Sequence, residues 1–419
     1  MEKRKTTKRK NKVKKLTKLF FMKISLPNTS ALSIILFFCL SITAQNTHDI
    51  SDDSTFELKT YYPKFSWEAT PMYYMFGDPK RVLHTEEINH IAERTDFICI
   101  EKSHGYEALG AAELGAKIDI AAFKEIKPEI KVLFYFNAAY AWPFTSYNKN
   151  FTHENINDYS QLQDFLIKNP ETKNLEQRNK VFYFDVLNPD FRQWWVNTVA
   201  EGVHFSGADG AFIDQMHGFA WLRHKKAQDV QKAMGEMIKA LKEKLGPTKI
   251  VLGNNANTKL AQYVFPSVDA IMFEHYGNTM LSKEKLLNDW EDMLRISKAG
   301  KMSIFRIGIE YDSEAKANPT YYKGRLRNER FEKLSKEKLE YYHACFLIGA
   351  QPYSYFQYGW GFQLAHGSLI DYPELQKPLG APKGTYNRTS SAGWEFTREF
   401  QHAWVWVNTE TKEAKITWY

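Results

Sequence analysis

Cysteine is scarce, with three in 419 residues. Cys39 falls inside an N-terminal apolar run, so the chain has no disulfide framework of the kind that staples small exported domains. Cys99 and Cys345 stand in a predicted strand and a predicted helix, far apart in the chain, and read as two buried free thiols. Long apolar runs are also few. The best candidate, ALSIILFFCLSIT at 31–43, is too short to span a bilayer comfortably. No G-x-G-x-x-G turn follows an early strand, no H-E-x-x-H pair occurs, and no G-x-S-x-G elbow follows a strand. These absences argue against dinucleotide chemistry, a zincin-type metal site and an α/β-hydrolase nucleophile. Neither a cofactor nor a metal is expected.

The apolar run follows a strongly basic stretch, and Ala44 offers a small residue for cleavage before Gln45. Residues 1–44 therefore read as a secretory signal, and the expected location is secreted or periplasmic. Phe37 and Phe38 precede Cys39 where a lipoprotein signal would carry small residues, so no lipid anchor is expected. The signal also accounts for the basic balance of the whole chain. It holds 11 of the 56 Lys and Arg and one of the 49 Asp and Glu, which leaves 45 against 48 and a net charge of −3. Nothing in that remainder suggests a nucleic-acid footprint, and no membrane span is expected after cleavage.

Aromatics are abundant, at 15% of residues, with 11 Trp and 23 Tyr. Core packing can use them; so can a sugar-binding cleft, where the apolar face of a pyranose stacks on a flat ring. Short apolar runs alternate with amphipathic segments. Eight strands are predicted, at 64–68, 96–103, 131–140, 210–215, 249–255, 270–277, 303–310 and 352–360. Most are β-branched or aromatic and nearly continuously apolar, as suits parallel strands buried on both faces. Helical patterns fill the gaps at 86–94, 117–126, 158–168, 189–204, 224–245, 282–298 and 332–348, with Asn188-Pro189 as a cap followed by proline at the first helical position. The fifth crossover, 256–264, is short. This order predicts an α/β fold, a (β/α)₈ barrel over 45–365. A doubly wound open sheet, the main rival, lacks its phosphate turn. Residues 366–393 read as a connection, and the segment from Gly393 onward as a small C-terminal β element.

Catalytic side chains of such barrels stand at the C-terminal ends of strands. Four acids end an apolar strand: Glu101, Asp214, Glu274 and Glu310. In GAFID the period of two puts Gly210, Phe212 and Asp214 on one face. In AIMFE it groups Met272 with Glu274. Asp209, at the entrance of its strand, reads as structural. Glu310 has Arg306 nearby as a pairing partner. Asp214 and Glu274 are the best catalytic pair: one carboxyl protonates the leaving oxygen while the other attacks carbon or activates water. A strand-end ion pair is the competing reading for each. Candidate substrate-binding residues are Glu101, Asn137, Trp142, His217, Asn254, Asn255, Tyr276, Glu310, Gln357 and Trp360, joined by Trp221 and Tyr358 among the aromatics. For each aromatic, core packing competes on equal terms.

These residues carry a resemblance. The stretch FDVLNPDFRQWWVNTVAEGVHFSGADGAFIDQ resembles the approach to the fourth strand in barrel glycoside hydrolases. GWEFTREFQHAWVWVNTETKEAKITW resembles the terminal β element of hypothetical glycosyl hydrolase family 15. The likeness spans roughly residues 62–419. α-Galactosidase-like barrels are similar in outline, and that resemblance implies Asp214 as nucleophile, Glu274 as acid/base and a poly- or oligosaccharide substrate. The chain departs in having Glu at the second position and His402-Ala403 where related tails carry Asn-Gly. Three alternatives stand beside this reading: a non-catalytic carbohydrate-binding barrel, a polysaccharide lyase with Tyr276 or His275 as base, and a metal hydrolase using histidines from among His104, His217, His224 and His275.

Overall fold

The computed structural model describes residues 59–275, 281–309 and 324–419, without the side chains of His224, Leu260 and 324–327. Tyr276 and Glu310 therefore lie outside the described residues. The described residues form one compact unit. Eight parallel strands make a single sheet in chain order: β1 (Tyr74–Phe76), β2 (Phe97–Ile100), β3 (Lys131–Asn137), β4 (Gly210–Asp214), β5 (Ile250–Asn254), β6 (Ala270–Glu274), β7 (Met302–Ile307) and β8 (Ser354–Tyr358). A parallel bridge between Met72 and Phe356 joins the last strand to the first, through Phe356 N–H to the Pro71 carbonyl at 2.7 Å and Tyr73 N–H to the Phe356 carbonyl at 2.9 Å. The fold is the expected (β/α)₈ barrel.

The crossover helices are α1 (Thr85–Ala92), α2 (Ala112–Ile126), α3 (Pro189–Ser206), α4 (Ala227–Leu245), α5 (Lys283–Lys298) and α6 (Gly324–Gly349). Asn188 caps α3 as its sequence predicts, its Oδ1 accepting from Asp190 N–H at 2.8 Å. The fifth crossover carries only single 3₁₀ turns at Lys259–Ala261 and Phe265–Ser267. Helix 158–168 is not formed; that stretch holds a 3₁₀ turn, Ser160–Phe165.

The first strand is corrected. Residues 64–68 form no strand, and β1 is the buried run that follows. The earlier segment crosses the N-terminal end of the barrel instead. Tyr61 donates to Asp269 at 2.8 Å, Tyr62 reaches the Gly300 carbonyl at 3.1 Å, and Phe65 stacks on Tyr353. Its aromatics are buried by plugging that end, which mimics a strand's composition without its ladder.

The lumen is packed, not hollow. Tyr73, Met75, Phe97, Cys99, Leu133, Phe212, Ile250, Leu252, Met272, Ile304 and Tyr355 fill it. Gly210 is required where β4 meets β5: a Cβ there would lie 1.9 Å from the Ile250 carbonyl oxygen. Inward parity from Gly210 through Phe212 then carries Asp214 to the rim. Cys99 and Cys345 are buried and free. No described helix is long and apolar enough to cross a membrane.

The C-terminal element is a four-stranded antiparallel sheet of β9 (Asn387–Arg388), β10 (Glu395–Glu399), β11 (Ala403–Asn408) and β12 (Glu413–Trp418). Phe396, Val405 and Val407 alternate inward on it. Arg398 ties it to the barrel, donating to the carbonyls of Leu347 and Ile348 at 3.0 Å, where α6 ends. Burial pushes this guanidinium down to about 10.

Candidate active site

β3, β4, β5 and β6 deliver the site. Their register sets Asn137 beside Asp214 on β3 and β4 and Asn254 beside Met272 on β5 and β6, so side chains of one layer turn inward together. Asp214 is held by four donors. Tyr135 Oη donates to Oδ2 at 2.6 Å and Asn137 Nδ2 reaches the same oxygen at 3.4 Å. Asn254 Nδ2 at 3.0 Å and Gln215 N–H at 2.8 Å donate to Oδ1. These donors match the acceptor geometry of a carboxylate and fix its plane.

Asn254 Nδ2 donates a second bond, to Glu274 Oε2 at 2.7 Å. One amide nitrogen thus bridges the two acids expected as the catalytic pair. The bridged oxygens can be no farther apart than these two bonds laid end to end, about 5.7 Å. Both carboxylates meet at this one amide.

Asn255 follows with a left-handed backbone, φ 51°, and does a different job. Its Oδ1 accepts from Glu274 N–H at 3.1 Å, which fixes the backbone end of the acid. Asn137 is likewise split: its amide nitrogen faces Tyr135 and Asp214, while its oxygen caps the following turn through Ala139 and Tyr140 N–H.

His217 lies in the loop after β4, against Trp221 and Phe219. Its Nδ1 accepts from Phe219 N–H at 3.1 Å, which leaves Nε2 to carry hydrogen. Burial pushes its pKa down to about 4, partly opposed by the charge of Asp214. His217 is therefore a neutral donor at ordinary pH. Trp142 stacks on Phe144 and, with Tyr135 and Asn137, lines a cleft beside β3.

The other candidates fall elsewhere. Glu101 is buried, with Oε2 accepting from Ser103 N–H and Oγ, both at 3.0 Å, and Oε1 on the Lys102 ammonium. Gln357 is buried in β8, its Nε2 3.5 Å from the Met75 carbonyl. Trp360 is 2% exposed and packs on Phe331 from α6, inside the core rather than at the rim. His275 alternates away from Glu274: Nε2 bonds Asp289 at 2.8 Å and Nδ1 meets the Arg306 carbonyl at 2.9 Å. Both nitrogens are committed to the scaffold, so it cannot serve as a lyase base or metal ligand without breaking it. His104 is committed similarly, to Asp119 and Asp78 N–H. Among the described residues, no group of acids, histidines and cysteines is arranged to hold a metal.

Two residues at the site went unread in the sequence, Tyr135 and Lys102. Tyr135 stands two positions before Asn137, on the same inward face, and that parity was its signal. Burial, then the charge and hydrogen bond of Asp214, raise its phenol well above the usual value, so it is a donor throughout the working pH range.

The model of hypothetical glycosyl hydrolase family 15 matches residues 124–404, well over half of the chain. The chain belongs to this family. As a family 15 member it is a glycoside hydrolase, and the matched span takes in all four strands of the site. No curated protein matches the chain. Solved structures resemble the chain at low identity. The glycoside hydrolase domain of PelA from Pseudomonas aeruginosa is 13% identical, with 64% of this chain and 90% of that chain covered and a TM-score of 0.41. An α-amylase of Anoxybacillus is 13% identical, with 83% and 88% covered and a TM-score of 0.46. An α-galactosidase from Thermus thermophilus is 12% identical, with 84% and 68% covered and a TM-score of 0.46.

Proposed function

We propose that this family 15 enzyme is an exported, retaining glycosidase acting on a poly- or oligosaccharide, with Asp214 as nucleophile and Glu274 as acid/base. One observation carries the reading: the Asn254 amide that bonds both carboxylates and sets a short span between them. Retaining pairs stand about 5–5.5 Å apart, whereas inverting pairs leave room for a water at about 6.5–9.5 Å. The nearest oxygens of the pair lie at most about 5.7 Å apart, and from this close approach we infer the first class.

In the first step Asp214 attacks the anomeric carbon and the glycosidic C–O bond breaks. Glu274 gives its proton to the departing oxygen. In the second step Glu274 takes a proton from water, the hydroxide attacks the anomeric carbon, and the Asp214 ester bond breaks. The site's division of labour suits these roles. Tyr135, Asn137, Asn254 and Gln215 orient Asp214 for attack. Asn255 holds the backbone of Glu274. Export is supported by the basic stretch and apolar run ending at Ala44.

Asp214→Asn and Glu274→Gln are expected to lower kcat by about 10⁴-fold or more while the melting temperature stays close to wild type. Proton NMR of the first-formed product of the wild type should show retained anomeric configuration. An inverted first product removes the covalent step. Near-normal turnover in either variant removes that residue from the pair.

A further inference from the structure

The layer that holds Asp214 and Glu274 contains a third strand-end acid, Glu101, and a lysine that no motif announces. Three of the roughly four acceptor sites of the Glu101 carboxylate are taken within the protein. Its Oε2 takes two bonds from Ser103, its Oε1 takes the Lys102 ammonium, and its side chain is buried. What it fixes is the position of that ammonium. Lys102 Nζ lies 5.2 Å from the ring centroid of Tyr135 and 5.7 Å from that of Trp142. Tyr135 is the phenol that bonds Asp214, so the cation sits one ring away from the nucleophile. The lysine side chain keeps 28% of its surface open, and the residue lines a narrow cleft together with Tyr135, Asn137 and Trp142. An ammonium has three donors, and Glu101 Oε1 accepts from one.

We propose that Lys102 contacts the substrate, donating to a hydroxyl oxygen of an uncharged sugar unit that lies against Trp142 and reaches the Asp214–Glu274 pair. This rests on the glycosidase reading above and adds the substrate class. The charge balance argues for an uncharged unit. Glu101, Asp214 and Glu274 bring three carboxylates to the layer, against Lys102 and the buried Arg306, which stands in register with Glu274. A uronate or sulfate would add negative charge where the lysine is already paired. Burial acts to lower the Lys102 pKa. The charge and hydrogen bond of Glu101 and the charges of Asp214 and Glu274 outweigh it and hold the pKa above the usual lysine value, so the donor stays charged.

The test separates substrate contact from a merely structural ion pair. Binding is measured by calorimetry in the Asp214→Asn background, which reads the subsite without turnover. The probes are uncharged gluco-, manno- and galacto-oligosaccharides, with galacturonate and mannuronate oligomers as the charged arm. Lys102→Met is expected to weaken binding of the uncharged probe by about 30-fold or more, and to lower kcat/KM in the otherwise wild-type enzyme by about 100-fold. The double variant Glu101→Gln/Lys102→Met relieves the stranded carboxylate. It should regain the melting temperature but not the affinity. Recovery of affinity in the double variant overturns the contact. Binding confined to the charged oligomers, or absent from every uncharged probe, overturns the substrate class. Loss of the glycosidase reading shows separately, as normal turnover by Asp214→Asn, and leaves the binding arm readable.

Discussion

The two ends of the barrel use the same residue type on the same strands for opposite purposes. Each of β2, β4 and β6 is preceded by an aspartate, with a carboxylate five residues on that ends the strand or, for β2, directly follows it: Asp96 and Glu101, Asp209 and Asp214, Asp269 and Glu274. At the N-terminal end every one of these acids meets a lysine at 2.7 Å, Asp96 with Lys127, Asp209 with Lys124 and Asp269 with Lys242. Two also clamp the neighbouring strand: Asp209 accepts from Val132 N–H at 2.9 Å and Asp269 from Val251 N–H at 3.0 Å. At the other end Glu101 also takes a lysine, Lys102, and a backbone N–H, but neutral amides and a phenol hold Asp214, and an amide ties it to Glu274. A carboxylate neutralised by lysine and backbone is spent on the scaffold. One held by neutral donors keeps its charge available for chemistry.

The comparison breaks most sharply at Asn254. Replacing it by Ala removes the shared donor and lets the two carboxylates repel. Loss of one preorganised donor is worth about 10²–10³ in kcat, and here two groups lose it, so a drop of about 10³-fold is expected with little change in melting temperature. Equal loss of stability and activity would place Asn254 with the scaffold.

The opposite pattern is expected at Asp269. It is 3% exposed and accepts from Tyr61, Lys242 and Val251 N–H. Asp269→Ala strands a lysine and a strand N–H, at a cost of about 3 kcal/mol. Urea unfolding should show that loss, while kcat per folded molecule stays within about twofold. A large drop in kcat would mean the two ends are coupled.

How far this layout was legible follows from the physics of each residue. Strands two to eight stood out because parallel strands buried on both faces read as unbroken apolar runs. The first was misplaced because two aromatic segments follow one another, and burial at the barrel's end selects the same residues as burial in a ladder. Asp214 and Glu274 were legible because an acid closing an apolar run is costly without a purpose. Asn254 and Asn255 looked equivalent as neighbours, yet strand parity sends one to the carboxylates and the left-handed turn sends the other to a backbone N–H. Lys102 was missed because a lysine after a strand reads as solvated; only the fold shows Glu101 drawing it inward. Trp360 was expected at the rim, but α6 covers it.

The smallest expected effect concerns pH and compares His217 at the site with His343 on α6, whose Nε2 meets Thr70 Oγ1 at 2.8 Å. Burial depresses both, His217 to about 4 and His343 to about 3, and only His217 has the charge of Asp214 acting in the opposite direction. An unfolded histidine titrates near 6.5. Between that value and the folded one, the unfolded chain binds a proton that the native protein does not. The stability each neutral imidazole contributes is thus complete above about pH 6.5 and is lost as pH falls through the window toward the folded value. His217→Gln should flatten the fall in stability between pH 7 and 5 by about 2 kcal/mol. Asp214→Asn removes the opposing charge, so NMR titration should find His217 moved further down while His343 stays put. An unchanged His217 in that variant would mean that the carboxylate and the imidazole do not share a field, and that the loop after β4 stands apart from Asp214.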